Sequence, residues 1–407
     1  MHRTEVHHTG ERVKSREVLG PAVVVGAFYA ILLIGLLGVG HHDPRDFIEI
    51  GLPYIERSQV SPVIRVDPSY HGYLRGDGYD GQFSYFIALD PLNAQGYTDE
   101  PIYRYERILY PLLARLLAAG QAPLIPAALI AINWLALTGG TLAVAARLRS
   151  AGTSGWAAIV FGLAPGMYFA LRRDLADGLA YSLVALAVYL FYRGGRPHLL
   201  WSAIAFSLAV FCRETTAVFP VIFALMSARS PAAGEEGRGA GSGIPLAAAF
   251  VAIAIGPWLL YRIALSLLLE HRGATSPFEP FPFLGLAYYW PWSRGVLAEV
   301  VSIVLPALIV AAVSGFALWR RQLSAEILAL LLNVLLFVVF LNHASYVELA
   351  ASARISLGVV LATVLALPTL QRLTGGRRLW FVTAAVLWLA PLPLVIVAPI
   401  GRALGIT

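Results

Sequence analysis

The 407-residue chain has one cysteine, Cys212, and one lysine, Lys14. A single thiol excludes an internal disulfide framework and gives no sign of a metal cluster. Charge is also scarce: Asp, Glu, Lys and Arg make up 13% of the residues, against about 25% in a soluble domain. The chain is net basic, with 30 Lys and Arg against 24 Asp and Glu. Its arginines, however, are scattered in short clusters between apolar runs, which does not suggest a nucleic-acid partner. What the chain has in abundance is apolar surface. Hydrophobic residues make up 58% of it, in runs of about 20 that recur along the whole length, the signature of membrane spans. The expected fold class is all-α, a polytopic helical bundle in a lipid bilayer.

The distribution of arginine orients the spans. Residues 1–20 form a basic tail with Arg3, Arg12, Lys14 and Arg16, expected to stay in the cytoplasm. The first span, 21–40, is too long for a cleaved signal peptide and lacks a clear A-x-A site, so it reads as a retained anchor. Residues 41–120 form a large extracytoplasmic region. Its last part, 106–120, has an apolar face with Arg107 and Arg115 set apart, which suits an interfacial helix. A bundle over 121–400 follows, with spans at 122–146, 155–171, 176–192, 244–265, 297–319, 324–341, 356–371 and 379–399, a flexible cytoplasmic linker at 229–243, and an extracytoplasmic tail at 401–407. The apolar segment 199–228 is broken by Arg213-Glu214-Thr215-Thr216. Read as a hairpin of two short helices, each reaching about 20 Å, it keeps Arg320, Arg321, Arg377 and Arg378 inside. The total is then eleven spans of a cell (inner or plasma) membrane protein, with the N-terminus cytoplasmic and the C-terminus outside.

Some charges break that pattern. Arg172, Arg173, Asp174 and Asp177 fall on the outer side, Arg213 and Glu214 at the hairpin turn, and Glu348 and Arg354 at an outer span entry. An arginine at bilayer depth costs about 2.5–3.5 kcal/mol on insertion scales, so these residues must either pair or line a wet cavity. One reading makes Arg213–Glu214 and Arg172–Asp174 structural pairs. The other makes Arg172, Arg173, Arg213 and Arg354 a cationic pocket for a phosphate, whose oxygens suit the guanidinium fork.

The outer loop holds the motif Tyr79-Asp80-Gly81-Gln82-Phe83-Ser84-Tyr85. A Gly-rich turn, Gly76-Asp77-Gly78, leads into it, and an apolar segment able to dock on the bilayer follows. Asp80 is either a helix N-cap or a general base; Asp77 and Asp43 are the rival bases.

This order resembles the GT-C superfamily of integral membrane glycosyltransferases. It is carried by Tyr79-Asp80-Gly81-Gln82, then Tyr85-Phe86-Ile87-Ala88, then Arg107-Ile108-Leu109-Tyr110-Pro111-Leu112-Leu113. It is most similar to the PIG-V-type GPI mannosyltransferases and to an uncharacterised bacterial set with YDGQ and RYxRILYPLL motifs. Arg213-Glu214-Thr215 resembles their R-E-T element, and Ala353-Arg354 a late A-R at a span entry. The acidic pair that follows the first span in some relatives is represented here by Asp43 alone.

The resemblance implies inverting transfer of a sugar from a polyprenyl-phosphate-sugar donor to an extracytoplasmic acceptor. A loop Asp would serve as base and arginines would hold the donor phosphate. Tyr79, Gln82, Tyr85, Arg107, Tyr110, Glu214 and Glu348 are the expected substrate-binding residues. No cofactor is required; a divalent metal, used by some members, is compatible. Nothing in the spacing of the histidines specifies a metal site, and His343, near Glu348 at an outer span end, reads as a surface histidine or as a ligand contact. Tyr288, Tyr289, Trp290 and Trp292 read as sugar-stacking rings or as an interfacial aromatic belt. The competing reading is a transporter or flippase of a polar lipid or lipid-linked sugar. It would call for matched broken helices in two halves, and the sequence shows one break, at 213–216.

Overall fold

The computed structural model describes residues 2–39, 43–59, 66, 70, 72–74, 76–229, 243–269 and 278–403. Most of the linker, His41-His42 and the end of the C-terminal tail lie outside the described residues. Among these residues the chain is helical, and extended pairing is confined to the isolated bridges Ile50–Gly78, Gly51–Leu74 and Phe278–Leu341.

Helix α1 (His2–Leu33) begins in the basic tail and runs on into a π-turn, Ile34–Val39, so tail and first apolar run share one helix. The loop region carries α2 (Leu52–Gln59), α3 (Gly81–Leu89), α4 (Pro101–Tyr105) and α5 (Leu109–Leu117). The bundle continues with α6 (Ile125–Ser150), α7 (Ala158–Gly162), α8 (Pro165–Arg172), α9 (Asp177–Arg193), α10 (Arg196–Cys212), α11 (Val218–Arg229) and α12 (Gly243–Leu268). Its second half holds α13 (Leu284–Ala287), α14 (Arg294–Glu299), α15 (Leu305–Trp319), α16 (Ala325–Val334), α17 (Leu349–Ile355), α18 (Leu357–Leu373), α19 (Leu379–Leu389) and α20 (Leu392–Ala403).

Five segments among the described residues are long and apolar enough to cross a membrane: Ser15–Gly38, Ala122–Ser150, Ile244–Leu268, Arg294–Trp319 and Leu379–Val397. The pair α17–α18, bent by 43°, would make a sixth. The remaining expected spans are shorter or interrupted. The run 155–171 breaks at Ala164 (ψ 138°), leaving helices of 5 and 8 residues. Pro165 is the cause, since it has no amide hydrogen to donate and drives the residue before it out of the helical region. A second interruption, at Ala390-Pro391, separates α19 from α20. The helix breaks are therefore more numerous than the sequence reading allowed.

The break at Arg213 is a reversal, as expected. Arg213 is extended (φ −159°, ψ 120°) and ends α10. Phe206 before it and Phe223 after it lie with ring centroids 5.9 Å apart, which only a chain folding back on itself permits. Thr216 donates its hydroxyl to the Arg213 carbonyl (2.7 Å) and fixes the turn.

Helix α6 is central, packed on α1 and α9. Its Asn133 is fully buried. Nδ2 lies 2.7 Å from the Tyr110 hydroxyl and 3.1 Å from the carbonyls of Ala170 and Leu175, so one amide ties α5 to the α8–α9 turn. Helix α5 buries Tyr110 and Ala114 but leaves Leu112, Leu116 and Leu117 exposed, while Arg115 turns inward onto the carbonyls of Ala88 and Leu89. That outward apolar face is what a helix lying on a membrane surface presents. At the opposite end of α6, Arg147 pairs with Glu326 (3.2 Å) and lies 3.7 Å from the centroid of the Tyr192 ring, closing α6, α9 and α16 together.

Candidate functional site

The loop before α3 is built on close backbone contacts. Gly78 has φ +77° and packs against Gly51 and the Glu49 carbonyl, where a side chain would be both strained and blocked. Gln82 fastens the same turn: its Oε1 accepts from the Gly51 amide (3.0 Å) and its Nε2 donates to the Asp77 carbonyl (2.7 Å). Gly81 packs against the Arg173 carbonyl with no room for a methyl group. This brings the start of α3 down onto the α8–α9 turn and delivers Asp80 to the end of the bundle.

Asp80 stands at the N-cap position of α3 but makes no capping hydrogen bond, which removes the helix-cap reading. Its two oxygens go to two different guanidiniums. Oδ1 pairs with Arg104 Nη1 at 3.0 Å and Oδ2 with Arg354 Nη2 at 3.1 Å. The pairing continues in both directions. Arg104 also forms a two-pronged pair with Asp99, both contacts at 2.7 Å. Arg354 also reaches Asp177 (Nε to Oδ2, 3.3 Å), and Asp177 Oδ1 lies 2.6 Å from Arg213. Arg354 Nη1 donates to the Tyr79 hydroxyl at 2.9 Å. Beside this string, Arg107 forks onto Glu214 at 2.9 and 2.7 Å. Acids and bases therefore alternate from Asp99 to Arg213 and balance in charge.

Burial alone would raise the Asp80 carboxyl. The guanidiniums of Arg104, Arg354 and Arg107 outweigh it and hold the group well below the usual carboxylate range. Burial pushes the Tyr79 hydroxyl up to about 12, against the opposing charge of Arg354, so Tyr79 is a neutral hydrogen-bonding group at ordinary pH.

These residues enclose space. A narrow cleft of about 30 Å³ is lined by Asp80, Arg104, Arg107, Asp177, Arg213 and Arg354, with Phe83, Ile87 and Pro111 as apolar walls. A wider cavity of about 440 Å³ shares Arg104 and Arg213 with the cleft. Its walls combine polar groups (Glu214, Thr215, Asn342) with apolar ones (Phe278, Phe337, Leu341, Ile355). Pockets of 300–1,000 Å³ with apolar walls and a few convergent polar groups are the usual form of a small-molecule site.

The sequence-predicted residues divide into three groups. Asp80, Arg213, Arg354, Arg107 and Glu214 converge at the two cavities, with Tyr79 in contact through Arg354. Arg172 and Arg173 do not line either cavity. Arg172 donates to the Asp46 carbonyl (3.0 Å), and Arg173 pairs with Glu49 (3.2 Å) and Glu348 (3.0 Å) while stacking on the Tyr79 ring. They hold the loop down, and Glu348 anchors Arg173. The third group is scaffold. Gln82, Tyr85 and Tyr110 are buried, and the Tyr110 hydroxyl is spent on the Leu129 carbonyl (3.0 Å). Asp43 caps the turn Pro44–Phe47 and pairs with Arg45 (2.7 Å). Neither Asp43 nor Asp77 lines the cleft or the cavity.

The expected neighbour pairs are not formed. Arg213 turns to Asp177 and Glu214 to Arg107, so adjacent residues face different partners. Both oxygens of Asp174, a buried residue at φ +47°, lack a hydrogen-bond partner. His343 pairs with Glu279 (2.8 Å) and stacks on Tyr288. Two principal residues were not assigned to the site from sequence. Asp177 stood out only as a misplaced charge. Arg104 went unremarked, although it is the first arginine of the RYxR motif.

Because Tyr110 braces α5, Tyr110→Phe should lower stability by about 1–3 kcal/mol, the worth of its two hydrogen bonds, from Asn133 and to the Leu129 carbonyl. Phosphate-ligand affinity should not change. Thermal unfolding and ligand titration of the same detergent-solubilised sample check both, and a large affinity loss would return Tyr110 to the site.

Fold and site thus define a helical membrane protein with a charge-balanced arginine–carboxylate cluster opening on a mixed polar and apolar cavity at one end of the bundle. Comparison with protein-family models, with curated proteins and with solved structures finds no match to this chain.

Proposed function

We propose that the protein is a GT-C-like membrane glycosyltransferase. It moves a sugar from a polyprenyl-phosphate-sugar donor to an extracytoplasmic acceptor with inversion at the anomeric carbon. The observation that carries this reading is the placement of Asp80. A loop carboxylate with no capping role projects into a cleft walled by four arginines, beside a cavity large enough for a sugar. Asp80 is the general base, removing the acceptor hydroxyl proton as attack begins. Arg354 and Arg213 stabilise the charge that grows on the leaving phosphate. The apolar walls Phe278, Phe337 and Leu341 suit the start of a lipid chain or the face of a sugar ring.

The eleven-span topology, with the Asp80 end outside the cytoplasm, belongs to the same reading. It is supported by the arginines gathered at the far end of the bundle, where Arg147 and Arg149 close α6 onto its neighbours. The extra breaks at Pro165 and Pro391 favour the second reading, a lipid transporter.

Mass spectrometry of cell-envelope glycans from a deletion strain separates the two. A glycosyltransferase leaves glycans lacking one sugar, with unused donor accumulating, and restoration requires Asp80. Unaltered envelope glycans would sink the transferase reading, and restoration by an Asp80→Asn copy would take the role of base away from Asp80.

A further inference from the structure

The Asp80 carboxylate has two oxygens, each facing a guanidinium from a different segment: Arg104 of α4 at 3.0 Å and Arg354 of α17 at 3.1 Å. Both guanidiniums are nearly buried, with side-chain exposure of 10% and 5%. Each offers the carboxylate one nitrogen, and two guanidiniums converging on one oxyanion are an arrangement with which proteins hold phosphate. The clamp also opens on both spaces, since Arg104 lines the cleft and the wider cavity alike. The surrounding charges already balance, so a phosphate diester could enter only as an uncompensated anion unless a carboxylate withdrew.

Resting on the glycosyltransferase reading, we infer that the Arg104–Arg354 clamp is the phosphate subsite of this protein, that Asp80 occupies it in the unliganded state, and that an entering phosphate displaces Asp80 and frees it to act as base. The exchange swaps one singly charged anion for another on the clamp, so the charge that the two guanidiniums face is unchanged. Arg104 becomes a phosphate ligand, a role the sequence did not assign to it. Asp99 holds Arg104 from the other side by two contacts, so Arg104 stays in place while its partner changes.

The cycle closes in atoms and charge. The acceptor oxygen bonds to the anomeric carbon, and the bond from that carbon to the phosphate oxygen breaks with its electron pair on the phosphate. The hydroxyl proton passes to Asp80. The phosphate monoester then carries a second negative charge while Asp80 is neutral, so the clamp keeps the phosphate. Loss of the Asp80 proton to water restores the carboxylate, which competes the product out.

An internal competitor lowers the apparent affinity of its site in proportion to the time it leaves the site free. Removing the Asp80 charge should therefore tighten phosphate binding. The test is titration of the full-length protein in nanodiscs, as wild type, Asp80→Asn and Asp80→Glu, with farnesyl phosphate and with inorganic phosphate. A clamp free about one-tenth of the time predicts roughly tenfold tighter farnesyl phosphate binding by Asp80→Asn, with no gain for Asp80→Glu. The same gain with inorganic phosphate supports a clamp that reads the phosphate group alone, and a gain confined to farnesyl phosphate supports one that needs the prenyl chain. Unchanged or weaker farnesyl phosphate binding by Asp80→Asn overturns the inference.

If Asp80→Asn does not fold, carboxyl footprinting of the wild type decides. Farnesyl phosphate should raise labelling at Asp80, and protection or no change counts against displacement. Binding and transfer fail separately. Tighter binding with transfer retained removes Asp80 as base but leaves the subsite standing. Transfer lost without tighter binding leaves the base and removes the subsite.

Discussion

Asp80→Asn should lower sugar transfer by about 10²- to 10⁴-fold, the usual worth of a positioned general base, while the protein still folds. Asparagine keeps the shape and one acceptor oxygen, so one of the two guanidiniums, of Arg104 or Arg354, retains a neutral partner while the other loses its acceptor. The asparagine cannot take a proton from the sugar acceptor. The pH profile carries a second signature. In the free protein the arginines hold the Asp80 carboxyl well below the usual carboxylate range. It therefore stays ionised, and its contribution to stability persists above the unfolded value of about 3.9. That contribution is lost only as pH falls through the depressed value. When phosphate has taken the clamp, its charge offsets those guanidiniums, and the carboxyl is no longer held so far down. The acid limb of kcat, which reports the complex, should then lie at higher pH than the acid limb of kcat/KM, which reports the free protein. Coincident limbs, or a limb unchanged in Asp80→Asn, would assign the titration to another group.

Arg354→Gln should be the most damaging single change to both stability and ligand binding. Arg354 is 4% exposed and is the hub of the string, in contact with Asp80, Asp177 and Tyr79. Its loss leaves Asp177, itself 1% exposed, with Arg213 alone. Removing one partner of a buried ion pair costs about 3–5 kcal/mol, because the other charge is stranded. Arg173→Gln is the control. Arg173, at the rim, is more exposed than Arg354. Of its partners, Glu348 is 38% exposed while Glu49 still has Arg172 nearby at 3.9 Å, so loss of Arg173 strands no fully buried charge. Unfolding of the two detergent-solubilised variants should show a large drop for Arg354→Gln and a small one for Arg173→Gln. Equal drops would mean the string is no more tightly coupled than the rim.

Much of this was legible before any coordinates. Charge in an apolar chain is costly enough to be informative, so Asp80, Arg213 and Arg354 stood out, and the reversal at Arg213 followed from keeping the other arginines on one side. Partners were not legible. Asp80 meets residues 24 and 274 positions away, and no local pattern encodes that pairing. Adjacency misled in the same way: Arg213 and Glu214 look like a pair, yet an extended arginine followed by a tight turn aims consecutive side chains apart. Gln82, Tyr85 and Tyr110 look functional because they are polar and lie in the motif, but only burial distinguishes a brace from a ligand. The break at Pro165 could have been read, since a proline inside an apolar run removes an amide donor whatever the hydropathy.

The string of charges also sets a timetable for biosynthesis. Its members come from five separate stretches of the chain, and Arg354 is the last to be made. While the first three hundred or so of the 407 residues are being threaded into the bilayer, Asp80 and Asp177 must wait without their common partner. An acid in that position is tolerable in water or in the translocation channel but expensive in hydrocarbon. The nascent chain therefore has reason to hold the α3 and α9 entrances at the aqueous edge until α17 arrives. A chain ending before residue 349 would lack not just one helix but the keystone that lets the earlier ones settle to their final depth.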